Sequence, residues 1–155
     1  MTPSAPSGRS VHACALVVGE RGLLIRGPSG AGKSTLSLAI LSRARAAGSF
    51  AALVADDRVF LSATSGRLLA RGIPGFEGMI ERRGEGLLEE THEPRVVVDL
   101  VVDLSERGAV PLRWPEEQER HVELLGVELP RLAIESGFGP EQGAYAALHR
   151  LARVK

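Results

Sequence analysis

Eight consecutive residues at positions 27–34, "GPSGAGKS", fit the pattern G-x-x-x-x-G-K-[ST] at every fixed position. Glycines there let the backbone turn its N–H groups inward around phosphate oxygens, and a helix starting just behind them adds partial positive charge. Gly27, Ser29, Gly30, Ala31, Gly32, Lys33, Ser34 and Thr35 are therefore the expected nucleotide contacts. Lys33 is expected to reach the β and γ phosphates, and the Ser34 hydroxyl to ligate Mg²⁺. ATP with Mg²⁺ is the simplest ligand for such a loop.

A second group of reactive side chains follows. Asp56 and Asp57 close the apolar stretch "ALVADD", which brings carboxylates to the edge of a sheet near the phosphates. One can orient a metal or its water, and the other can accept a proton from a hydroxyl nucleophile. Neighbouring residues on a strand point to opposite faces, so both enter one site only where the strand ends or bends. By local sequence alone, His12 reads as a half-buried strand histidine and "IERRGEG", with Glu81, Arg82 and Arg83, as a charged surface turn. Arg113 in "PLRWPEE" reads as a surface residue beside Trp114, a satellite core residue.

These residues need a scaffold, and apolar periodicity supplies one. "VHACALVVG" and "LLIRG", separated by "ERG", predict a β-hairpin feeding the loop. "KSTLSLAILSRARAAG" predicts a helix from Gly32 or Lys33, with Leu36, Ala39, Ile40 and Ala47 at helical spacing, basic Arg43 and Arg45 late, and Gly48 as its stop. "AALVADDRVFLSA" gives a buried strand ending in the carboxylate pair, then another β-prone run; "GRLLARG" and "GMIERRGEG" are short and strand-like. "RVVVDLVVDL" has the continuous apolar character of a sheet centre. "SERGAVPLRWPEEQER" is irregular, with a helical turn after Pro115, and "HVELLGVELPRLAI" returns to strand. From Pro140 a closing helix puts Ala144, Ala147, Leu148 and Leu151 on one face. The class is α/β with a mixed sheet: a Ser/Pro/Gly-rich disordered tail at residues 1–10, then a single domain at 11–155.

Composition narrows the partners. A chain of 155 residues suits one domain, and its formal net charge of zero provides no electrostatic footprint for nucleic acid or anionic lipid. Cys14 is the sole cysteine, which excludes an intramolecular disulfide or a cysteine zinc cluster. No apolar run approaches the ~18 residues of a membrane span, and no apolar segment follows the opening "MTPSAPSGRS" as in a signal peptide. The cytoplasm is the expected compartment.

Taken together, the histidine in "VHACALVVGERGLLI", the phosphate loop, "LVADDRV", "IERRGEG" and "ERHVELLGVELPRL" resemble the catalytic domain of the bacterial HPr kinase/phosphorylase family, in the family's order and over residues 11–134. The length is similar to the short alphaproteobacterial form. The resemblance implies a phosphoenolpyruvate carboxykinase-like fold and an ATP-dependent protein kinase acting on a serine of the phosphocarrier HPr. It further implies a phosphorylase reaction with inorganic phosphate that gives pyrophosphate, and a homo-oligomer, hexameric in the family. It makes Asp57 the catalytic carboxylate, with Asp56 supporting it in contact with His12, and Glu81 a metal-binding glutamate. Arg83 matches the arginine of the same motif, and Arg113 an arginine that stabilises phosphoryl charge. Glu85 stands where the family usually has an aliphatic residue, and "AIESGFGPEQG" replaces an expected basic segment, so the phosphorylase reaction is the less strongly implied. A small-metabolite kinase or ATPase, and a nucleotide-binding regulatory module without catalysis, are the alternatives.

Overall fold

The computed structural model describes residues 8–106 and 108–155. Among these, eleven strands and two α-helices follow in the order β1 Gly8–Val11, β2 Cys14–Val18, β3 Arg21–Arg26, α1 Lys33–Ala46, β4 Ala51–Ala55, β5 Val59–Thr64 and β6 Arg67–Arg71. They continue with β7 Met79–Arg82, β8 Gly86–Glu89, β9 Arg95–Leu104, β10 His121–Leu124, β11 Val127–Ile134 and α2 Pro140–Ala152; a 3₁₀ turn at Glu117–Glu119 precedes β10.

β9 organises the sheet. Its first residues, Arg95–Val97, run antiparallel to β6, its last four run parallel to Arg131–Ile134 of β11, and β3 lies parallel along it. The strand order is β1-β5-β6-β9-β3-β2-β4, with β11 and then β10 attached through β9. A strand paired on both edges and covered on both faces must be largely apolar, as "VVVDLVV" is, its one charge at Asp99 accepting the Gly22 backbone N–H at 2.9 Å. Val98, Leu100, Val101 and Val102 are accordingly buried.

Alternation divides the core in two. Leu16, Leu23, Ile25, Leu53, Leu100 and Val102 pack with Leu36, Ile40 and Leu41 of α1 and Ala144, Ala147 and Leu151 of α2. Their neighbours Ala15, Val17, Leu24, Ala52, Val54 and Val101 face the other way, onto Val59, Leu61, Leu68, Val96 and Leu129. The helices thus cover one face, and the sheet curls over itself to cover the other, a period-2 consequence of strand geometry. Gly22 marks a close crossing: a Cβ there would lie 2.1 Å from the Val97 carbonyl oxygen, where the β3–β9 register shifts.

Several expectations change. Gly8, Arg9 and Ser10, expected in the tail, pair with β5, while residues 1–7 lie outside the described residues. His12, expected within a strand, sits in a bend between β1 and β2 and is exposed. Ala47, expected on the apolar face of α1, is its exposed C-terminal cap, with Gly48 behind it at φ 84°. "HVELLGVELPRLAI" is two strands, because Leu125 and Gly126 both take positive φ and close a tight hairpin. Trp114 is 80% exposed, so it belongs to no core.

Candidate active site

The phosphate loop joins β3 to α1, and its geometry follows from its glycines. Gly30 and Gly32 have φ of 79° and 100°, a region costly for residues with a Cβ. No side chain caps α1, whose N-cap is Gly32, so the first-turn N–H groups face the loop. Lys33 Nζ donates to the carbonyl oxygens of Gly27 at 2.8 Å and Pro28 at 3.1 Å, which holds the ammonium over the loop. Gly27 itself lies against β9; a Cβ there would meet Leu104 Cβ at 2.9 Å.

β4 ends at Ala55, and that break lets both aspartates enter the same cleft. Asp57 has φ 65°, a left-handed conformation that turns the chain toward β5. Asp56 Oδ1 accepts from Ser34 Oγ at 2.7 Å and from Cys14 Sγ at 3.1 Å, while Asp56 Oδ2 accepts from the Glu81 backbone N–H at 3.1 Å. Asp56 therefore ties β2, α1 and β7 together beside the loop. Asp57 stays exposed, with Oδ1 3.8 Å from His12 Nδ1. The His12 contact expected of Asp56 is made by Asp57, because Asp56 is turned inward to Ser34 and Cys14.

Burial pushes the Cys14 thiol up to about 12, and the neighbouring Asp56 charge adds to the shift. The group remains a neutral donor to Asp56. At the foot of the loop, Arg26 forms a two-pronged pair with Asp103 through Nε and Nη2, at 2.7 and 2.8 Å, and Arg131 Nε reaches the same carboxylate. Burial alone would raise the Asp103 carboxyl, but hydrogen bonds from Arg26 and Arg131, with their charges, hold it below its usual value.

His12, Gly27, Ser29, Gly30, Gly32, Lys33, Ser34, Thr35, Asp56, Asp57, Glu81 and Arg83 line one cleft of about 820 Å³. Ala31 lies within the loop but does not line the cleft, and Arg113, exposed on the segment before the 3₁₀ turn, does not line it either. Among the described residues, no three His, Cys, Asp or Glu side chains form a metal-binding cluster.

The sequence profile of the HPr Serine kinase C-terminal domain matches residues 5–139. The chain belongs to this family. A protein of an Azoarcus species (strain BH72) named HPr kinase/phosphorylase is 35% identical over 141 residues, covering 84% of this chain and 43% of the relative. One of the same name from Neisseria meningitidis serogroup C is 35% identical over 135 residues, 77% of this chain and 40% of the relative. The chain thus spans about two-fifths of these relatives' length. The solved structure of the HPr(Ser) kinase/phosphatase from Coxiella burnetii superposes with a TM-score of 0.74 at 26% identity, over 93% of this chain and 97% of that one. The α/β mixed sheet with the hairpin ahead of the loop is thus the fold of an HPr serine kinase C-terminal domain.

Within that family fold, two groups carry no local signal in the sequence. Cys14 reads as a strand residue, and only the tertiary contact at a separation of 42 residues puts it under Asp56. The Arg26–Asp103–Arg131 group spans separations of 77 and 28 residues. The charge at Asp103 within a mostly apolar strand was a hint, one that it shares with Asp99.

Proposed function

We propose that this chain is the catalytic part of an ATP-dependent protein-serine kinase that phosphorylates a serine of HPr, with the same cleft running the phosphorylase reaction. The observation that carries the proposal is Asp57: an exposed carboxylate in left-handed backbone, beside His12, in the cleft that also holds Lys33 and Ser34. Family membership favours HPr over a small metabolite.

In the kinase direction the backbone N–H groups of the loop and Lys33 hold the ATP phosphates. Asp57 accepts the serine proton as the hydroxyl oxygen attacks the γ-phosphorus, and the bond to the ADP oxygen breaks. Asp56 accepts the Ser34 O–H, which leaves that oxygen's lone pairs free for a cation. The oxygen donors Ser34, Asp56 and Glu81 fit Mg²⁺, which is commonly held by one or two carboxylates together with phosphates. Bound there, Mg²⁺ supplies charge to the transferring phosphoryl group. Arg83 adds a cation from the β7–β8 turn. Arg113 is outside the single-chain cleft and is given no role within it. In the reverse direction a phosphate oxygen attacks the seryl phosphorus to form pyrophosphate, and protonated Asp57 returns its proton to the serine oxygen.

Incubation with γ-labelled ATP, Mg²⁺ and HPr from the same bacterium is expected to label an HPr serine. Label appearing only as free phosphate would overturn the kinase reading in favour of an ATPase, and tight ATP binding without turnover would favour the regulatory module. Pyrophosphate release from seryl-phosphorylated HPr and phosphate checks the reverse reaction. A cytoplasmic setting and assembly into a homo-oligomer complete the proposal. Sedimentation should then give a mass that is a multiple of 16.5 kDa, and a mass of 16.5 kDa itself would remove the assembly.

A further inference from the structure

A smaller cavity, of about 280 Å³, opens beside the phosphate-loop cleft and shares Asp56, Asp57 and Glu81 with it. No residue of 27–35 lines it, so it extends the cleft beyond the aspartates and away from the loop. The rest of its wall is mainly apolar, with Ile73 and Phe76 from the segment between β6 and β7, Met79 on β7 and Leu87 on β8. Leu87 stands directly opposite Glu81 in the antiparallel β7–β8 pair, so the two side chains share one face of the hairpin about 5 Å apart. Ile80 and Leu88, on the other face, pack into the core. The core therefore accounts for the inward face of the hairpin and leaves its outward apolar residues unexplained. Two consecutive turns fix the backbone at Phe76: its N–H donates to the Ile73 carbonyl oxygen at 3.2 Å, and its own carbonyl oxygen accepts the Met79 N–H at 3.3 Å. Among the described residues, Phe76 is 68% exposed and Leu87 64%. Single exposed apolar side chains are ordinary, but two of them bordering a pocket beside a reacting carboxylate mark a contact surface.

The chemistry of phosphoryl transfer decides what can reach this cavity. Lys33 and the loop hold the nucleotide phosphates and Asp57 takes the proton of the attacking serine, so the acceptor enters at Asp57. Consecutive Cα atoms are about 3.8 Å apart, which keeps residues within two positions of that serine in reach of the cavity. Its volume lies below the roughly 300–1,000 Å³ of a pocket for a whole small molecule, and it suits one apolar side chain. Resting on the kinase reading, we infer that this cavity is a substrate-specificity subsite, which takes an apolar side chain next to the acceptor serine of the protein substrate. Phe76 and Leu87 cover that side chain while Asp57 meets the hydroxyl. A small polar metabolite has no group to fill it, so the subsite selects a peptide acceptor over free hydroxyl compounds.

Steady-state kinetics with γ-labelled ATP, Mg²⁺ and HPr tests the subsite in the full chain carrying Phe76→Ser and Leu87→Ser. KM for HPr is expected to rise at least about tenfold, the scale of one apolar side chain left unburied, with KM for ATP unchanged. Phe76→Leu with Leu87→Met keeps the wall apolar and should leave KM for HPr close to that of the unsubstituted chain. Label on HPr with an unchanged KM in the double-serine protein would overturn the subsite and leave the kinase reading standing. No label on HPr from the unsubstituted chain would remove both. Nitrogen-15 NMR of the unsubstituted chain provides a readout independent of variant folding. HPr should shift the amides at 73, 76, 79 and 87 as well as those at 56–57, and shifts at 56–57 without the others would also sink the subsite.

Discussion

At the scale of single residues, the two adjacent aspartates have different chemistry because their surroundings differ. Asp56 is occupied by Cys14, Ser34 and the Glu81 N–H, whereas Asp57 faces solvent beside His12. Asp57→Asn keeps the shape and removes the proton acceptor, so kinase turnover should fall about 10²–10⁴-fold while ATP affinity changes little. Steady-state kinetics with a binding titration checks both halves. Cys14 makes a separate case. Its thiol is buried and pushed up from 9.0 to about 12, so it stays protonated at neutral pH. Alkylation at pH 8 should be at least ~100-fold slower in the native protein than in urea. A raised folded value also means that the thiol's contribution to stability is complete below pH 9.0 and is lost as pH rises through about 12.

At the scale of elements, the β7–β8 hairpin is the piece that delivers Glu81 and Arg83 to the cleft. It is anchored at Gly78, whose carbonyl oxygen accepts the Glu90 N–H at 2.7 Å. Gly78 has φ 71°, and a Cβ there would sit 2.5 Å from His92 Nδ1 and 2.9 Å from the Glu90 carbonyl oxygen. Gly78→Ala therefore combines left-handed backbone strain with a collision. A loss of about 2 kcal/mol in urea unfolding is expected, together with reduced kinase activity as Glu81 shifts. α2 is tied at its other end of the core: Arg21 Nη1 donates to the Leu151 carbonyl oxygen at 2.7 Å and to that of Val154. The phosphate-loop hairpin and the last helix are thereby one packing unit.

At the scale of the whole molecule, the Arg26–Asp103–Arg131 group joins three neighbouring strands at the loop's base. Asp103 is mostly buried and both arginines are about 30% exposed, so Asp103→Asn should cost about 2 kcal/mol, less than the ~3–5 kcal/mol of a fully buried pair. Its lowered folded value gives the sign of the pH effect. The Asp103 contribution is present above the ordinary value of 3.8 and is lost as pH falls through the depressed one. Acid titration of stability should show that lost segment in the unsubstituted protein and a flatter profile in Asp103→Asn. Chemical denaturation at pH 7 and at stepped lower pH values measures both.

The sequence by itself determined whatever is encoded over short distances. The phosphate loop needs its glycines and Lys33 in fixed order, α1 and α2 follow from helical spacing with a stop at Gly48 and a start at Pro140, and "RVVVDLVVDL" has the apolar character of a sheet centre. Even the ambiguity at Asp56 and Asp57 was legible as a condition, since both enter a site only if the strand ends there. Tertiary structure decided how that condition was met, through the end of β4 at Ala55 and the positive φ of Asp57. It also decided that His12 stands with Asp57, that Trp114 is exposed, and that Arg113 lies outside the cleft. Periodicity reports that a face is buried but carries no information about which strand, tens of residues away, covers it. Partners such as Arg26 and Asp103 become neighbours only when β3 and β9 pair, and that pairing is a property of the closed sheet.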